Sequence, residues 1–261
     1  MGDISYSSYL KVDEVLGLQQ PLSDGPEHDE LLFIIIHQSY ELWFKSVLHE
    51  LKRTQEVMED GDIHAAIALV GRVRTIMKSL VSQVDILETM TPLQFNSFRD
   101  RLESSSGFQS GQFREIEAVL GRRETMPLEF LPEGSVGRQR VEEAMQRLSL
   151  WDSALILMSR RGHAIPQDVL DRDVTTTYVE NEAVQSSVVK MYRTDGELAI
   201  LLERLVDLDE GLQEWRYRHV KMVQRTIGAK IGTGGSPGAA YLISTLFTPV
   251  FPDLWSARNQ F

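Results

Sequence analysis

From Glu27 to about Asp60, apolar side chains recur at helical spacing and no proline or glycine interrupts them. The segment therefore reads as one long, largely buried helix. A helix of that length is stable in water only when other elements cover its apolar face, so the rest of the chain must supply partners of matching length. Asp62 is a good N-cap for the first of them, a helix to about Glu88 whose stripe is Ile63, Ile67, Val70, Val73, Ile76, Met77 and Leu80. Two antiparallel helices are the simplest outcome.

The remaining signals are also helical. "TPLQFNSFRDRL" begins with Thr91 as N-cap, Pro92 at the first helical position and Gln94 three residues after the cap, which is a capping-box start. The spacing predicts further helices over Gln109 to Leu120, Val141 to Ser159 and Asn181 to Thr226, the last broken near Gly211, and a short one near Tyr241 to Leu246. "GHAIPQDVLDRD" reads as a loop or short turn, and "GAKIGTGGSPGAA" as a glycine-rich turn. No strand alternation of useful length occurs, and there is no repeat, low-complexity tract or obvious linker. The expectation is an all-α fold, a single domain over 1–261 built as a bundle of long antiparallel helices.

Composition narrows the chemistry. Lys and Arg total 27 against 38 Asp and Glu, a net charge of -11, which argues against a nucleic-acid surface. Cysteine is absent, which removes disulfides, thiolate catalysis, iron-sulfur clusters and cysteine-ligated zinc or haem. A metal would have to use His, carboxylates or Met. No apolar run reaches bilayer length, and the N-terminus lacks a basic flank followed by an apolar core, so a cytoplasmic protein without a membrane partner is expected. Tyr6 stands where a myristoylation signal needs Ser or Thr.

Six histidines occur, none four residues from another and none preceded by the Glu-x-x-His spacing, so helical zinc and di-iron carboxylate patterns are missing. A single-histidine haem ligand remains open. His219, in "EWRYRHVKMVQR", has Trp215 and Val223 on its face, but pattern alone favours a surface histidine among basic residues. His37, in "FIIIHQSYELW", shares its face with Phe33 and Glu41, and reads as either a hydrogen-bonded core histidine or a group kept for a ligand. Phe95 and Arg99 could hold an aromatic ligand and its carboxylate, or be a core Phe beside a surface Arg. "IGTGGSPG" could approach an anionic or zwitterionic ligand, yet it lacks the Lys-Ser or Lys-Thr of a phosphate loop.

Seven segments in one order and spacing resemble the tryptophan 2,3-dioxygenase family: "SYLKVDEVLGLQQPLS", "HDELLFIIIHQSYELWFK", "ILETMTPLQFNSFRDRL", "SSGFQS", "GHAIP", "WRYRH" and "GTGGSPG". The match runs nearly end to end, loosest over Gly121 to Gly137 and Asp171 to Thr177. The resemblance implies a homotetramer with one haem b per subunit that adds O2 to the indole of L-tryptophan to give N-formylkynurenine, the first step of the kynurenine pathway.

Position by position, the resemblance makes His219 the axial haem ligand, His37 the distal histidine bonding the indole nitrogen, and Phe33 the residue packing the indole. It makes Arg99 the partner of the substrate carboxylate and Thr233 a contact to the amino-acid head. Phe95 and Leu102 become pocket residues, Ser106 and Gly107 the stretch beside the haem. Ile34, Ile35 and Ile36 are expected beside the substrate with their neighbours. Tyr6, Tyr9 and Leu10 fall in an N-terminal arm, residues 1–25, that closes a neighbouring subunit's pocket. The competing readings are a haem monooxygenase of the same superfamily, forming an oxindole from tryptophan or a methylated tryptophan, and a non-catalytic haem or amino-acid sensor.

Overall fold

The computed structural model describes residues 4–25, 27–228, 230 and 239–261, with side chains at all of these except Ala240. Two short helices, α1 (Tyr6–Leu10) and α2 (Val12–Leu16), precede the long α3 (His28–Asp60). Glu30 in the first turn of α3 ties the incoming strap down, its carboxylate accepting from the Leu22 amide at 2.7 Å and the Ser23 amide at 3.1 Å. The helix stops at Gly61, whose φ of 89° supplies the left-handed C-cap that other residues resist.

Asp62 then caps α4 (Ile63–Leu87), accepting from the Ala65 amide at 3.0 Å. The Thr91 capping box opens α5 (Pro92–Arg99), with Thr91 N donating to Gln94 Oε1 at 2.8 Å and Gln94 N donating back to Thr91 Oγ1 at 3.3 Å. Short helical turns at Asp100–Leu102 and Gly107–Gln109 lead into α6 (Gly111–Val119). The chain continues through α7 (Val136–Met145), α8 (Leu150–Arg160), α9 (Gln167–Leu170), α10 (Glu182–Thr194), α11 (Gly196–Ile227), α12 (Ala239–Ser244) and α13 (Pro252–Ser256). Among the described residues there is no strand, so the fold is all-α.

Two predicted helices are divided. Val141 to Ser159 splits because Ser149 begins a new helix with its own capping box: its amide donates to Asp152 Oδ2 at 2.8 Å, and the Asp152 amide donates to Ser149 Oγ at 3.2 Å. Asn181 to Thr226 breaks at Asp195, not at Gly211. Asp195 is extended and caps α11, accepting from the Leu198 amide at 3.1 Å. Gly211 stays helical inside α11, where α4 passes close enough to put Met77 beside it. The N-terminal helices α1 and α2 were not expected as elements.

The bundle centres on α4, which packs against both α3 and α11, with α6 and α8 also covering α3. Helix α6 meets α7 through two glycines: a Cβ on Gly111 would lie 2.8 Å from the Gly137 Cα. The main core joins Leu51, Val70, Leu80, Trp151, Leu201 and Leu205. A second, smaller core gathers Ile36, Leu87, Met90, Phe95 and Phe98 at the junction of α3, α4 and α5. The site lies beside this second core.

Candidate active site

Phe33, His37, Tyr40, Glu41 and Phe44 follow helical spacing along α3 and line a cavity of about 520 Å³. Its opposite wall comes from α11, through Trp215, Arg216, His219, Met222, Val223, Thr226 and Ile227. Val84 and Leu87 at the end of α4, α5, the 102–110 segment, the start of α6 and α12 complete the enclosure. The volume lies within the roughly 300–1,000 Å³ of small-molecule and cofactor sites.

On α3 the imidazole is fixed by its own helix. His37 Nδ1 lies 2.7 Å from the Phe33 carbonyl oxygen. A carbonyl only accepts, so Nδ1 carries the proton and the neutral ring keeps a lone pair on Nε2. Burial holds the His37 pKa below the ordinary value, against the opposing pull of the Phe33 carbonyl and the Glu41 charge. The Phe33 ring sits 4.1 Å from the imidazole, and Phe33, Phe95 and Phe98 form a mutual cluster with centroids 5.5–5.8 Å apart.

Across the cavity, His219 stacks on Trp215 one turn earlier, with centroids 5.1 Å apart and 17° between planes. Burial drives its pKa down to about 4, and His37 and Arg114 push in the same direction. The ring is therefore neutral at pH 7, and no described residue hydrogen-bonds it. The pattern-based preference for a surface position is corrected here: Arg218 turns outward to Asp85 and Glu88, while His219 and Arg216 turn inward.

One end of the cavity is charged. Glu117 on α6 is buried and accepts from Arg114 Nη1 at 2.6 Å and from Arg216 Nη2. Burial alone would raise the Glu117 pKa, but Arg114, Arg216 and Arg122 outweigh it and hold the carboxyl below its usual range. Arg114 also lies over the Phe108 ring, 4.4 Å from its centroid. Two buried guanidinium groups against one carboxylate leave this wall positive, and among the described residues neither Arg114 Nε nor Arg216 Nε has a hydrogen-bond partner. Among the described residues no group of three or more His, Asp or Glu could chelate a metal.

Of the residues singled out in the sequence, Phe33, His37, Phe95, Arg99, Leu102, Ser106, Gly107 and His219 all line this one cavity. Ile34, Ile35 and Ile36 do not, because successive helical positions turn by about 100°. Ile36 packs into the second core, and Ile35 is largely solvent-facing. Tyr6, Tyr9 and Leu10 sit exposed on α1 and do not line the cavity of their own chain. Thr233 lies outside the described residues. Sequence reading overlooked Arg114, Glu117, Arg216 and Tyr241, although the i, i+3 spacing of Arg114 and Glu117 on a predicted helix was an available signal.

A family model described as tryptophan 2,3-dioxygenase matches residues 1–132 and 190–261. The chain belongs to the tryptophan 2,3-dioxygenase family. The tryptophan 2,3-dioxygenase of Herpetosiphon aurantiacus is 55% identical, over 98% of this chain and 97% of that protein. That of Anaeromyxobacter sp. (strain K) is also 55% identical, over 98% and 96%. The protein of the same name from Caulobacter vibrioides is 43% identical over 99% and 98%. Every residue that lines the cavity falls within the two segments the family model matches. The unmatched stretch between them holds α7, which packs on α6, α8, which packs on α3, α9, which packs on α8, and the first part of α10.

Proposed function

We propose that this chain is a haem-dependent tryptophan 2,3-dioxygenase, converting L-tryptophan and O2 to N-formylkynurenine. In the reaction the indole C2 to C3 bond breaks and each carbon receives one oxygen atom, so both atoms of O2 are retained. The observation that carries the reading is the opposition of two neutral imidazoles, His37 and His219, across one largely apolar cavity in a member of this family.

The residues present fit haem. His219 is neutral, uncommitted to any described partner and faces the cavity, as an axial ligand must. The positive wall at Arg114 and Arg216 complements a porphyrin that carries carboxylates. Haem, when bound, supplies the iron that activates O2, a chemistry no side chain here can provide.

The protein's own part is placement. Its Nε2 lone pair lets His37 accept the indole N–H, while Phe33 and Phe95 pack the ring. Arg99 pairs with the substrate carboxylate, and Thr233 contacts the amino-acid head. Ser106 and Gly107, beside Leu102, form the wall next to the cofactor. Interactions at the charged end thereby hold the reacting carbons in position at the other. His37 serves orientation and polarity; an indole nitrogen is too weak an acid to need removal of its proton first.

The assembly proposed is a homotetramer acting in the cytoplasm, with Tyr6, Tyr9 and Leu10 of the 1–25 arm closing a neighbour's pocket. Their exposure on α1 is compatible with that role. No helix among the described residues is long and apolar enough to cross a membrane. The monooxygenase alternative is not favoured, since the relatives above carry the dioxygenase name. The test is anaerobic reduction of haem-loaded protein, then L-tryptophan with labelled O2. Gain of two labelled atoms is expected; gain of one, or no product, would overturn the proposal.

A further inference from the structure

Glu41 lies one turn after His37 on α3 and reaches across to the segment that carries Ser106 and Gly107. Its Oε1 accepts from Ser110 Oγ at 2.5 Å, its Oε2 from Gln112 Nε2 at 2.8 Å, and its backbone carbonyl from the same Gln112 amide at 2.8 Å. The other hydrogen bonds that residues 103–112 make with described residues stay within that segment or its own flanks. Among the described residues, Glu41 is thus its sole hydrogen-bonding link to another element. Packing of Phe108 on Phe130 and Tyr241 holds the middle of the segment, and α6, which follows it, packs on α3 through Phe113 and Phe44. Ser104 and Ser105, near the start of the segment, are exposed.

We infer that Glu41 is a positioning residue: a carboxylate staple that sets the gap between the His37 wall and the Ser106–Gly107 wall, and so the fit of the indole between them. The inference rests on the dioxygenase reading for its substrate, but the staple itself does not. Glutamine at this position keeps one side-chain acceptor for Gln112 and can donate to Ser110, whereas alanine removes both side-chain links and leaves Gln112 only the backbone carbonyl of residue 41.

Two measurements separate the possibilities. In hydrogen exchange on the full chain, Glu41→Ala should speed the amides of residues 104–110 at least about tenfold while those of α4 stay unchanged. Unchanged exchange there overturns the staple whatever the chain's activity. In turnover of L-tryptophan, Glu41→Ala should raise KM about tenfold with kcat held within about threefold, and Glu41→Gln should restore most of the loss. A milder Gln112→Ala variant should show the same split, about threefold in KM, should Glu41→Ala fail to fold. A lowered Tm with KM unmoved would mark a merely structural contact and overturn the role. Inactive wild-type protein with a loosened loop in the variant would instead refute the dioxygenase reading alone.

Discussion

Trp215 and His219 stack one turn apart on α11, near-parallel at 5.1 Å, so the imidazole proposed to hold iron is braced from its own helix. That ring has no competing hydrogen-bond partner among the described residues. His219→Ala should abolish normal axial ligation. The optical spectrum and the haem content of the purified variant check this; a spectrum identical to wild type would refute the ligand assignment.

His37→Ala removes an acceptor and leaves the aromatic cluster around Phe33 largely in place. Loss of one hydrogen bond to the indole should lower kcat/KM roughly tenfold, about 1.4 kcal/mol, without abolishing turnover. Steady-state kinetics decide it. A variant that keeps haem and binds substrate yet is wholly inactive would argue that His37 moves a proton.

Arg99 faces the cavity from the last turn of α5. Truncating one member of an enclosed ion pair costs about 2–5 kcal/mol, so Arg99→Ala should raise the KM for L-tryptophan roughly a hundredfold. Lysine should recover only part of it, because an ammonium lacks the planar fork that meets a carboxylate with two bonds. An unchanged KM would exclude the role.

Phe98 is wholly buried in the second core, against Phe33 and Phe95. Phe98→Ala should cost about 3–5 kcal/mol of stability through lost transfer energy and a residual cavity. Denaturant unfolding measures it. A loss below about 1 kcal/mol would mean the surroundings collapse into the gap.

Asp195 gives the fold an acid limb. Burial would raise its pKa, but Arg161, the Leu198 amide and His163 outweigh that and hold it at about 2, below the ordinary 3.8. A depressed carboxyl contributes stability that is present above pH 3.8 and is lost as pH falls through 2. Asp195→Asn retains an N-cap side chain while deleting the charge. The stability gap between variant and wild type should therefore shrink on acidification from pH 4 to pH 2. A gap independent of pH would show that the charge contributes nothing.

Local chemistry made α3, α4 and α5 legible, because Asp62 and the Thr91–Gln94 box announce their own helix starts and Gly61 announces a stop. The same kind of signal stood at Ser149 and Asp195, yet continuous apolar spacing on either side masked both breaks. The site was less legible. His219 lies among Arg216, Arg218 and Lys221, and nothing local tells that Arg216 turns inward to Glu117 while Arg218 turns outward to Asp85. That distinction depends on α6 and α4, which lie about a hundred residues earlier in the chain. Eight of the residues given a site role from sequence do meet at the cavity, but Ile34, Ile35 and Ile36 do not, since adjacency along a helix is not adjacency in space.

The cavity takes its walls from residues 33–117 and again from residues 215–245, with nothing from the stretch between. A growing polypeptide therefore carries only half a container until residues 215–245 have been added. Whatever the cavity holds must enter after α11 has been made, and a chain cut short before α11 would leave Phe44 and Phe113 without the indole of Trp215, on which both pack.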